Sequence, residues 1–299
     1  MTAYKNQHYL PLAYLGQFGR PLDRDIRKRM VWRVSDNRGG EVSVGGQCQE
    51  DYFYSKSRAS ICEGYFNQIE GVYGSLMARI GRGEGLTRHD LFLFFLCAVD
   101  FYARGSKFRG GSQREEFDLY LHRTEFFKRQ LISAELVNAT DAVRRDYILT
   151  HWAFDLVQFP ADPALLTSDS PSIWLGSSRT ANELQGVLMP ITPFCCFVGA
   201  HQGTYRIASS SADTTDAGVM NNNEMENCVD AVFCTEPLSE QEIALVQSRL
   251  AKRTIPQPRA DAWALELIDY DLNPNLSFLG RQAREINRDA GRKEDAAQQ

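Results

Sequence analysis

His8, Glu70 and Asp169 are the side chains whose chemistry stands out in this sequence, with Arg104 as the cation that would face them. An imidazole, with an ordinary pKa of about 6.5, serves as acid, base or metal ligand. Carboxylates share that work or hold a divalent metal ion, and a guanidinium binds phosphate or carboxylate through paired hydrogen bonds. Each residue also has a plainer reading. His8 can be a core or capping histidine. Glu63 and Glu70 stand two helical turns apart on one edge of a helix, where Glu63 with Ser60 makes a capping box and Glu70 has no such duty. Asp100 and Arg104 lie one turn apart on an otherwise apolar helix. Buried charge is kept only when paired or used, so they are an ion pair or part of a site. Asp169 follows a strand-like run and precedes Pro171, a placement that suits a site residue or a turn initiator. Asn222, within Asn221-Asn222-Asn223, offers an amide to a ligand.

Three segments carrying these residues have a recognisable pattern. Asn6-Gln7-His8-Tyr9-Leu10-Pro11 is followed by Tyr14-Leu15 and Phe18. A helix bearing Glu63 and Glu70 precedes a buried helix that ends in Arg104. Leu165-Leu166-Thr167-Ser168-Asp169-Ser170-Pro171 precedes Pro190-Ile191-Thr192-Pro193. Together they resemble the bacterial family called domain of unknown function 4238, with its HYVP-x-x-YL-x-x-F opening and its T-S-D-N-P and P-L-T-P motifs. Leu10 replaces Val and Ser170 replaces Asn in that pattern. The resemblance implies a shared fold over about residues 5 to 235 and no mechanism.

Other motifs compete. Arg145 and His151 fit the Arg-x4-6-His pattern of HEPN ribonucleases and fall on a predicted helix, although 26 Arg and 5 His give about one such spacing by chance. Gly81, Gly83 and Gly85 lack the preceding strand of a dinucleotide fingerprint, and Walker A, H-E-x-x-H and G-x-S-x-G motifs are absent from the sequence. The seven cysteines contain no C-x-x-C spacing, which argues against a structural zinc and a disulfide framework.

The elements that would position these groups read as α+β, a helical N-terminal half packed on a mixed or antiparallel C-terminal sheet, in one composite domain over 1–299. Residues 1–58 read as β ribbon or irregular, with strands at Met30–Val34 and Glu41–Val44 around a turn at Asp36–Gly40. Residues 59–159 read as helical. The first helix carries an apolar stripe of Ile61, Tyr65, Ile69, Val72, Leu76 and Ile80, and a central buried helix is capped by Thr87 and Asp90. Helices are also predicted over Gln113–Val137 and Asp141–Phe159. Residues 160–280 read as sheet plus helices. Strands are expected near 164–167, 172–175, 186–189, 195–199, 205–208 and 231–234, with helices over 216–227 and after Ser239. Residues 281–299 read as a polar tail.

A chain of 299 residues with 43% apolar and 24% charged content has ample core, and its net charge of −5 gives no global basic field for a polyanion. The apolar run Leu91–Val99 is too short for the roughly 20 residues of a membrane span. The expectation is a cytoplasmic, non-membrane protein: a hydrolase acting on a phosphodiester or nucleotide-like substrate. His8, Glu70 and Asp169 would be catalytic or hold a divalent metal, and Arg104 and Asn222 would bind. The partner would be a phosphate-bearing small molecule or single-stranded nucleic acid. The alternatives are a ligand-sensing or protein-interaction module without catalysis, and a HEPN-like ribonuclease.

Overall fold

The N-terminal segment supplies short strands and a short helix ahead of the first long helix. It contributes β1 (Asn6–His8), α1 (Leu12–Leu15), the hairpin β2 (Met30–Ser35) and β3 (Arg38–Ser43), and β4 (Gln49–Asp51). Four helices follow: α2 (Ala59–Gly81), α3 (Arg88–Arg104), α4 (Glu116–Gln130) and α5 (Asp141–His151). The remaining elements are β5 (Trp152–Gln158), β6 (Thr167–Ser168), β7 (Ile173–Ser177), β8 (Thr180–Thr192), β9 (Cys195–His201) and β10 (Tyr205–Ile207), then α6 (Thr214–Asn227), β11 (Ala231–Cys234), α7 (Glu240–Leu250) and β12 (Leu279–Arg281). This computed structural model describes residues 6–22, 24–51, 53–55, 57–105, 116–132, 136, 138–177, 180–252 and 276–281. The class is α+β, as the sequence implies.

Two four-stranded sheets organise these elements. One has the order β5-β9-β8-β7 and is antiparallel throughout. The other, β3-β2-β11-β6, joins the N-terminal hairpin to strands far downstream, with Val34 opposite Val232 and Phe233 opposite Thr167. That pairing brings the segment around Asp169 beside the N-terminal ribbon.

Helix α3 is the hub because it is apolar on every side. Its first turn is closed by the reciprocal capping box of Thr87 and Asp90. Phe94 stacks on Phe197 of β9 at 5.9 Å, Phe95 meets Trp152 of β5 at 4.9 Å, and Phe101 meets Tyr73 of α2 at 5.3 Å and Tyr14 of α1 at 5.6 Å. All three phenylalanines are fully buried, and burying each side chain contributes about 1.5–3 kcal/mol. The helix therefore fixes the orientation of whatever its C-terminal turn carries, namely Asp100 and Arg104.

Several local expectations need correction. Ser60 and Glu63 make no capping box: α2 already begins at Ala59, and its N-cap, Arg58, makes no side-chain capping bond. The stripe through Ile61, Tyr65, Ile69 and Val72 is not the buried face. Ile61 is 60% exposed, and the core is filled by the neighbouring positions Cys62, Phe66, Tyr73, Leu76 and Met77. The helix predicted to run to Phe159 stops at His151, because Trp152–Gln158 pairs with β9 as a strand, and seven ladder positions outweigh a local helical pattern. The strand expected near 164–167 is confined to Thr167–Ser168, and within the third predicted helix the described residues are helical over Glu116–Gln130. The polar tail beyond Arg281 lies outside the described residues. All seven cysteines are buried and none is in a disulfide. Among the described residues no helix is long and apolar enough to cross a membrane.

Candidate functional site

Arg104 is the centre of a buried polar cluster. Its side chain is 1% exposed, and α3 delivers it between α2 and the N-terminal segment. Both terminal nitrogens donate to Glu70 Oε1 at 3.0 Å, and Nη2 also donates to the His8 carbonyl at 2.8 Å. Nη1 lies 3.5 Å from Asp100 Oδ2, and Nε reaches the Tyr54 hydroxyl at 3.4 Å. The guanidinium carbon sits 4.0 Å from the centre of the Phe66 ring, a cation–π contact. Burial works against the charged guanidinium, but Tyr54, Glu70 and Asp100 outweigh it and hold its pKa above the ordinary arginine value.

The carboxyl groups around it outnumber it. Tyr120 donates its hydroxyl to Asp100 Oδ1, while Asp100 Oδ2 has no hydrogen-bond partner beyond the longer ion pair with Arg104. Burial pushes the Asp100 carboxyl up, against the opposing pull of Arg104 and Tyr120. Glu63, half-buried nearby, is also raised, first by burial and then by Glu70. One guanidinium thus faces Asp100 and Glu70 directly, with Glu63 in electrostatic range.

His8 joins this cluster through its backbone. Strand β1 pairs with β4, placing His8 opposite Gln49, and the carbonyl of His8 accepts from Arg104. The imidazole turns elsewhere. Its Nδ1 is 3.3 Å from the Gln47 carbonyl, which can only accept, so Nδ1 carries the proton and Nε2 is the basic atom. Burial lowers its pKa to about 4; the Gln47 bond opposes this, and Arg104 and Arg27 add to the lowering. Gln7, one residue earlier, is fully buried and closes on the same region. Its Oε1 accepts from the amides of Tyr54 at 2.7 Å and Ser55 at 3.3 Å, and its Nε2 donates to the Ser55 carbonyl at 3.0 Å.

A pH dependence follows with a definite sign. Between about pH 6.5 and pH 4 the unfolded chain binds a proton that folded His8 refuses, so stability is full above that window and falls on acidification by about 3 kcal/mol. Chemical denaturation of wild type and His8→Gln across this window checks it. The variant should lose that part of the slope, and an unchanged slope would exclude the imidazole as its source.

Asp169 sits on the far side of the N-terminal segment, within electrostatic range of Tyr9 and Cys48. Its carboxylate is engaged by the backbone: Oδ1 accepts from the Val229 amide and Oδ2 from the Asp230 amide, each at 2.9 Å, and its own amide donates to the Ala231 carbonyl at 3.2 Å. Neighbouring motif residues do similar work. The Tyr14 hydroxyl contacts Thr167 Oγ1 at 2.6 Å and the Pro190 carbonyl at 2.5 Å, and Asn227 Nδ2 donates to the carbonyls of Ser170 and Ser172. Asn222 is elsewhere, joining α6 to α7 by accepting from Arg249.

The structure therefore brings together the His8 carbonyl, Glu70 and Arg104, and leaves the His8 imidazole, Asp169 and Asn222 each with its own partners. Among the described residues no three His, Cys, Asp or Glu side chains converge as a metal site, so His8, Glu70 and Asp169 do not form one. Arg145 pairs with Asp146, and His151 bonds the Tyr147 carbonyl at 2.9 Å, both on the exposed surface of α5. Six residues of helix turn these two side chains about 120° apart.

Sequence reasoning placed Gln7 and Tyr14 in a motif without a role and missed Tyr54 and Tyr120; all four complete these networks. It also missed a cavity of about 210 Å³ beside Asp100, between α2, α3 and α4. The signal for the cavity was present in Tyr65, Ile69 and Val72, an apolar stripe that the core buries only in part.

No curated protein and no solved structure matches the chain. The sequence model of the family described as "Protein of unknown function (DUF4238)" matches residues 6–237, more than three quarters of the chain. The chain belongs to that family.

Proposed function

We propose that this protein is a small-molecule-binding or sensing module that performs no hydrolysis. The observation that carries this reading is where the acid–base groups spend their atoms. Glu70 Oε1 is spent on Arg104, both Asp169 oxygens on backbone amides, and His8 Nδ1 on a carbonyl, whereas the cavity beside Asp100 has room for a small ligand. A hydrolytic site needs a base and an acid within reach of one substrate atom. A cavity lined mostly by apolar side chains is the usual form of a small-ligand site.

One observation favours a second reading, a hydrolase based on His8. The Gln47 carbonyl fixes the imidazole as the tautomer with a basic Nε2, and a pKa of about 4 keeps it neutral near pH 7. Incubation of the purified protein with single-stranded RNA, DNA and a dinucleotide panel, with and without Mg²⁺ or Mn²⁺, separates the two. The expected result is no cleavage under any condition. Cleavage that falls by about 100-fold or more in His8→Ala would replace the binding reading with the hydrolase. Cleavage lost only in His151→Ala would favour the HEPN-like ribonuclease.

A further inference from the structure

The cavity between α2, α3 and α4 is walled mainly by hydrocarbon: Ile69 and Val72 come from α2, and Leu93, Leu96 and Val99 from α3. Ile69, Leu93 and Leu96 are partly buried and Val72 is 37% exposed, so the cavity reaches the surface between α2 and α3. Its volume is about 210 Å³. An engineered apolar cavity of roughly 150 Å³ takes up benzene, and the extra space here holds a ring with a short alkyl arm.

The polar atoms along this lining are engaged elsewhere. Thr124 donates its hydroxyl to the Tyr120 carbonyl at 3.0 Å, inside α4. Tyr120 in turn donates its hydroxyl to Asp100 Oδ1. Asp100 Oδ2 is shut off from solvent and faces Arg104, which is not among the described lining residues, at 3.5 Å. Burial pushes the Cys97 thiol up, so it stays protonated and acts as a small apolar surface. Tyr65 packs its ring edge-on against Tyr120 at 5.9 Å, and its neutral hydroxyl cannot balance a ligand's charge. A charged ligand would give up its hydration here and gain no ionic partner, whereas a hydrocarbon gives up only its unfavourable contact with water.

We propose that this cavity binds a small uncharged apolar molecule, one ring with a short alkyl arm, lying among Ile69, Leu93, Leu96 and the Tyr120 ring. The proposal rests on the small-molecule-binding reading and adds the ligand's chemical class. Titration of the full chain with benzene, toluene, ethylbenzene, phenethylamine and phenylacetate tests it, followed through the NMR signals of the isoleucine, leucine and valine methyl groups. Affinity should rise about fourfold with each carbon added from benzene to ethylbenzene, the worth of one buried CH₂. The two charged probes should bind about 100-fold or more weakly than ethylbenzene. The methyls of Ile69, Leu93 and Leu96 should shift, and those of Ile173, Leu188 and Val198, which lie in a separate core, should not. Leu96→Trp puts a larger side chain in the lining and should abolish ethylbenzene binding; where that variant does not fold, the wild-type methyl shifts decide the site. Saturable binding that shifts only methyls outside the cavity, or that survives in folded Leu96→Trp, would overturn the site. A charged probe that binds at these methyls as tightly as ethylbenzene would overturn the apolar class and leave the small-molecule reading standing. Failure of every probe to bind would remove both.

Discussion

Arg104→Met is expected to lower stability by about 3–5 kcal/mol, a fall in melting temperature of about 10 °C. The substitution keeps an unbranched side chain of similar length against Phe66 and removes only the charge and its donors. Asp100, buried on α3, then loses the cation that pairs with it, and Glu70 and the His8 carbonyl lose their hydrogen bonds. The loss should be much larger than for an exposed pair such as Arg82 and Glu84, where water replaces the partner. The cause is separable from lost packing. Adding Asp100→Asn to Arg104→Met removes the stranded charge, so the double variant should recover part of the loss, which a packing defect would not allow. A soluble Arg104→Met protein that melts like wild type would show that the cluster does not hold α3, α2 and the N-terminal segment together.

The way Arg104 is held shows which parts of the architecture were legible. Asp100 and Arg104 could be paired from sequence, because four residues of helix put them on one face. Glu70 stood out as a carboxylate without a local duty. The His8 carbonyl could not be foreseen, since every residue has a carbonyl and sequence distinguishes only side chains. His8 was therefore picked out for its imidazole but meets Arg104 through its backbone. Caps built from neighbouring residues were readable where the helix start was unambiguous, as at Thr87 and Ser239. At Ser60 the helix starts earlier than the pattern suggests. Helix α2 is apolar on two adjacent faces, so periodicity alone could not say which faces the core. Trp152–Gln158 was read as helix because its partner, β9, lies beyond three intervening strands and a helical pattern is a local property. Asp169 was located correctly as a strand-end residue, but the amides that bind it come from the turn before β11, which only the long-range pairing of β11 with β6 brings near.

That placement makes Asp169 the second sensitive position. Asp169→Ala would leave the amides of Val229 and Asp230 without their acceptor in a region where Asp169 itself is 1% exposed. An unsatisfied buried donor costs about 1–3 kcal/mol, so the pair should cost about 2–5 kcal/mol. Asp169→Asn distinguishes a structural carboxylate from a reacting one. Asparagine keeps the shape and one acceptor oxygen, yet turns an NH₂ donor toward the second amide, so it should lose at least half of what alanine loses. A reacting aspartate would instead be replaced by asparagine with little change in stability. Hydrogen exchange gives the local readout: protection of the Val229 and Asp230 amides should fall in both variants before that of the β5-β9-β8-β7 sheet, because the turn opens without unfolding the second sheet. An Asp169→Asn protein with wild-type melting and unchanged protection at these two amides would return Asp169 to the candidates for chemistry. The expected loss would instead fix the Thr167-Ser168-Asp169 segment as the clamp that ties β6 to the turn before β11.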